Sequence, residues 1–90
     1  MKTPEETKER TRYVISAVMH ELHQAYKQYP EWPVEPITAA GIVVEEAGEL
    51  MQSALDVHWH GLKGEEDNMI DEAIQTAAMA IRFVVEHTGH

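Results

Sequence analysis

Three prolines within seven residues, Pro30, Pro33 and Pro36, decide where this chain can and cannot be regular. Each lacks an amide hydrogen and pushes the residue before it out of helical geometry, so neither a helix nor an interior strand can run through the segment. The segment therefore reads as a stiff, extended corner. On its N-terminal side Ile15, Val18, Leu22, Ala25 and Tyr29 recur at steps of three and four, the spacing of one helical face. Thr3, Pro4 and Glu6 have the form of a capping box with proline at the first helical position. A first helix is predicted over about residues 4–29.

Beyond the corner, Val43, Ala47, Leu50, Ala54 and Val57 form a second helical stripe, from about Ile37 to His60, with Gly61 and Gly64 as C-terminal punctuation. A third helix is predicted from near Glu65, where Glu65, Glu66 and Asp67 suit the positive end of a helix dipole. It carries Ile70, Ala73, Ile74, Ala77, Ile81 and Val84 toward Gly89. No segment alternates with period two, so no sheet is expected. The fold class read from the chain is all-α, a single domain over residues 1–90.

Ninety residues fold into one small core, withdrawing only about 60% of the unfolded surface from water. There is no cysteine to staple it. Association is then the remaining source of stability, and a four-helix-bundle-type homo-oligomer, homodimer or homotetramer, is expected. The balance of 16 acidic to 7 basic residues, a formal charge of −9, is the wrong sign for gripping a nucleic-acid polymer. No apolar run approaches membrane-spanning length, and the start does not resemble a secretory signal, which predicts a cytoplasmic location with no membrane partner.

One residue back from the apolar stripe of the second helix lies another row: Ile42, Glu46, Glu49, Ser53 and Asp56. On the third helix the companion row is Asn68, Glu72, Gln75, Met79 and Arg82. Residues three apart on a helix carry side chains about 5–6 Å apart, so Glu46 and Glu49 can reach one cation while Glu72 approaches from an antiparallel neighbour. Clustered carboxylates at a half-buried edge need a counter-charge, and an oxygen-ligated Mg²⁺ or Mn²⁺ provides it. The six histidines do not make the competing case. None follows a glutamate at the spacing of di-iron bundles, and His20 and His23 are too close for a zinc-protease motif.

The segment Val44-Glu45-Glu46-Ala47-Gly48-Glu49-Leu50 resembles the EExxE portion of the MazG-like, all-α nucleotide pyrophosphohydrolases, and Asn68 to Ala78 resembles the second half of their ExxE…ExxD signature. The resemblance spans helices two and three, and helix one only in character. It implies a Mg²⁺-dependent hydrolysis of nucleoside or deoxynucleoside triphosphates to monophosphate and pyrophosphate, clearing nucleotides from the pool. By position, Glu46, Glu49 and Glu72 would be metal ligands and catalytic, with Glu45 in a supporting or general-base role. Gln75 stands where the signature has aspartate, as in a phage-type branch of the family, and its amide oxygen can still coordinate.

Arg82, Lys63 and Lys27 are the candidate phosphate contacts, and Trp32, in the proline corner, is the candidate platform for a base. The rival expectation is a non-catalytic helical oligomerisation module with a degenerate metal site. Its methionines, Met19, Met51, Met69 and Met79, would fill core and interface.

Overall fold

The computed structural model describes residues 1–61 and 65–89. Three helices follow in order: α1 (Pro4–Gln28), α2 (Pro36–His60) and α3 (Glu65–His87), with no strand among the described residues. Thr3 caps α1 as its sequence demands, its hydroxyl accepting from the Glu6 amide at 3.1 Å. The same hydroxyl donates to the Glu6 carboxylate at 3.1 Å, a variant of the reciprocal box. α1 ends one residue before the predicted position because Tyr29, preceding Pro30, is already extended beyond helical ψ. Pro36 begins α2 as its first residue, and Gly61 ends it in the left-handed conformation at φ 55°, where a side chain would be strained. Gly64 lies outside the described residues.

α3 packs against both α1 and α2, whereas the backbones of α1 and α2 do not approach one another. The result is an open slab of 41 × 33 × 20 Å. Its radius of gyration, 15.0 Å, exceeds the roughly 12 Å of a compact chain this long.

The core is correspondingly slight. Val18 and Leu22 of α1 close on Ala78 of α3, with Tyr26, Ile74, Ala77 and Met79 packed around them. Ala39 of α2 is fully buried as well. The predicted stripes are only partly realised. Val18 and Leu22 are buried as expected, but Ile15 and Tyr29 are exposed. On α3, Ile70, Ile81 and Val84 face solvent, while Ala78 and Arg82 are the buried residues. On α2, Val43, Leu50, Ala54 and Val57 are half-buried, Ala47 is exposed, and Ser53 is the buried position beside Ala39. The physical reason is geometric: α3 has a neighbour on two sides, α1 covering Ile74, Ala77 and Ala78 and α2 meeting the mixed polar row, so the outer part of its apolar row, Ile70, Ile81 and Val84, is left uncovered.

Candidate metal centre

The α2–α3 contact turns the companion rows toward each other. Ser53 and Asn68 tie them, the asparagine amide donating to the serine hydroxyl at 3.1 Å. In the same register Glu72 lies opposite Glu46 and Glu49. One oxygen from each of Glu46, Glu49 and Glu72 lies within 4.8 Å of the others. Glu46 and Glu72 are half-buried and Glu49 is exposed. A buried oxygen on each of the first two, Oε2 in both cases, has no hydrogen-bond partner.

The electrostatics follow from that arrangement. Burial raises the Glu46 carboxyl above its ordinary range, and the negative charges of Glu49, Glu72, Glu45 and Glu21 raise it further. Burial likewise raises Glu72, reinforced by the Glu49 carboxylate within hydrogen-bond reach and by the charges of Glu49 and Asp71. Two orphaned oxygens in an all-oxygen donor set fit a hard divalent cation, which would replace mutual repulsion by attraction.

A cleft of about 690 Å³ opens beside the triad, within the range of ligand pockets. Glu46 stands at its wall with Glu21, Gln24 and Gln28 of α1, Trp32 of the corner, and Gln75, Met79 and Arg82 of α3. A second cleft of about 550 Å³ lies between α1 and α3, where Tyr13, Ser16 and His20 face Asp71 and Ile74, and Glu21 and Gln75 border both spaces.

Arg82 is only 1% exposed. Its Nη2 donates to the Tyr29 carbonyl at 2.8 Å and its Nη1 to the Ala25 carbonyl at 3.3 Å. The guanidinium also lies 4.2 Å from the centre of the Tyr26 ring and 4.9 Å from that of Trp32. It thus neutralises the negative end of α1 and clasps the corner, with Nε left unpartnered. Trp32 is further held by its indole N–H, which donates to Nε2 of His87 at 2.9 Å.

The structure therefore gathers Glu46, Glu49 and Glu72 at one point and places Gln75, Trp32 and Arg82 around the adjoining cleft. Glu45 is exposed and reaches Glu46 only through its charge. Lys27 is exposed in the last turn of α1 and lines neither cleft. Lys63 lies outside the described residues. Glu21 was missed in the sequence, although the signal was present. One step back from Val18, Leu22 and Ala25 gives Ala17, Glu21 and Gln24, the same offset that exposed the acids of α2.

Neither a protein-family model, a curated protein nor a solved structure matches this chain.

Proposed function

We propose that the chain is a Mg²⁺-dependent nucleotide pyrophosphohydrolase, cleaving a nucleoside or deoxynucleoside triphosphate between its α and β phosphates to give monophosphate and pyrophosphate. The observation that carries this reading is the convergence of Glu46, Glu49 and Glu72 within 4.8 Å from two helices, with Glu46 also in the wall of a cleft of nucleotide size. The resemblance of these same segments to the MazG-like signature selects the reaction class.

In this reading the three glutamates hold the divalent ion, Mg²⁺ or Mn²⁺, with the Gln75 amide oxygen available from the cleft wall. A bound ion would supply charge neutralisation toward the phosphates and polarise the scissile anhydride. Glu45 adds negative potential from outside the triad. Trp32, in the cleft wall, offers an indole to the base, and the buried Arg82 holds that indole in place. No described helix is long and apolar enough to cross a membrane. A homodimer or homotetramer belongs to the same proposal, supported by the open slab and its uncovered apolar rows.

The test is release of pyrophosphate from a panel of nucleoside and deoxynucleoside triphosphates with Mg²⁺, alongside the Glu49→Gln variant. Pyrophosphate from wild type and none from a folded Glu49→Gln protein is the expected pair. Absence of product from every nucleotide, with Mg²⁺ bound, would leave the helical oligomerisation module as the better account.

A further inference from the structure

Opposite the metal-bearing side of α2 runs a second row: Ile37, Gly41, Val44, Gly48, Met51 and Leu55. Its steps alternate four and three, the spacing of a coiled-coil seam. The four large residues are 41–81% exposed. A helix apolar on both faces belongs between two layers, and the chain supplies only one, α3.

The glycines sharpen the point. Glycine is the poorest helix former short of proline, yet two sit in the interior of a 25-residue helix. A Cβ at Gly41 or Gly48 would meet nothing within 4 Å, so no contact inside the chain calls for them. Close approach by a helix from outside would.

The accessible surface is 7002 Å², whereas a compact monomer of this mass exposes roughly 5,300 Å². The surplus, roughly 1,700 Å², is more than the about 800 Å² that each partner gives to a standard interface.

We infer that this face of α2 is the seam on which a second copy docks antiparallel, Gly41 against the partner's Met51 and Gly48 against the partner's Val44. The row is self-complementary only in that direction. Reversed upon itself, it sets each glycine opposite a large side chain and Ile37 opposite the partner's Leu55, as a two-fold axis requires. A parallel, in-register pair would instead stack glycine on glycine and leave unfilled layers between bulky ones. Antiparallel helix dipoles favour the same choice. The inference deepens the homo-oligomer part of the proposed function and rests on it, but not on any nucleotide chemistry.

Because the chain has no cysteine, Gly41→Cys with Met51→Cys reports the register directly. Sedimentation at micromolar concentration is expected to show a dimer or a multiple of it, and mild oxidation to link the double variant into covalent dimers. Val44→Glu is expected to weaken association about a hundredfold while helical circular dichroism is kept. Gly48→Ala, a better helix former, should fold at least as well yet weaken association about tenfold. A wild-type monomer, a dimer that does not cross-link, or an undiminished dimer of Gly48→Ala would each overturn the inference. Calorimetric Mg²⁺ binding by the monomeric variant separates this failure from failure of the metal site.

Discussion

Glu72→Gln removes one charge from the triad without changing its volume, and the structure fixes what that should do. Two unit charges 4.8 Å apart repel by about 3.5 kcal/mol at an effective dielectric of 20 and about 0.9 kcal/mol in bulk water. The site is half-buried with Glu49 exposed, so each pair falls between these limits, and partial protonation lowers the net cost further. Glu72 takes part in two of the three pairs. The metal-free variant should therefore be more stable than wild type by about 1–2 kcal/mol, which for a domain this size is about 5–10 °C in Tm. With Mg²⁺ the order reverses: wild type gains about 2.7 kcal/mol at a hundred times Kd, and the variant gains little. The assay is thermal unfolding followed by circular dichroism, in EDTA and in saturating Mg²⁺, at one protein concentration. A lower Tm for Glu72→Gln in EDTA, or equal stabilisation of both proteins by Mg²⁺, would refute the picture of a strained, ion-seeking acid cluster.

Further outcomes follow from the same geometry. Glu46 and Glu72 are raised in the fold, so their contribution to metal-free stability is complete at acid pH and is lost as pH rises through their elevated range. Urea midpoints in EDTA should fall over that window, while Mg²⁺ affinity rises and binding releases protons, measurable by calorimetry in buffers of different ionisation enthalpy. Gln75→Asp adds an acid beside the triad and should tighten Mg²⁺ about tenfold while lowering metal-free stability; unchanged affinity would take Gln75 out of the site. Arg82→Ala empties a buried volume and takes the arginine donor from the Tyr29 carbonyl, while Ala25 keeps the Tyr29 amide, and should cost about 2–4 kcal/mol by urea unfolding. A cost near zero would remove the clasp. In Trp59→Phe the remaining tryptophan, Trp32, reports on the cleft, and its emission should change when a non-hydrolysable triphosphate and Mg²⁺ are added together but not with either alone.

The sequence carried the helices and the acids but not which apolar row the chain itself would cover. Pro4, Pro30 and Pro36 set boundaries to within a residue because their constraint is local and covalent. Glu46, Glu49 and Glu72 were legible because helical spacing and one short connection determine their approach. Ile70, Ile81 and Val84 were read as core and lie outside because α3 is apolar around much of its circumference, and periodicity does not say which neighbour fills which side. Arg82 could not be placed from spacing at all. Its burial depends on Ala25 and Tyr29, more than fifty residues earlier, presenting carbonyls at the end of α1, that of Ala25 shared with the Tyr29 amide.

α1 is fastened unevenly. From Pro4 to Ser16 every residue is exposed, and only from Ala17 onward does the helix rest on α3, through Val18 and Leu22 and finally through the arginine at its end. A helical stretch of that length without lateral support is marginal in water. Amide deuteration should therefore proceed in two regimes, rapid over the leading turns and slow over the trailing ones. The leading turns form a detachable arm, tolerant of truncation or of a fused tag, while the trailing turns melt only together with the bundle.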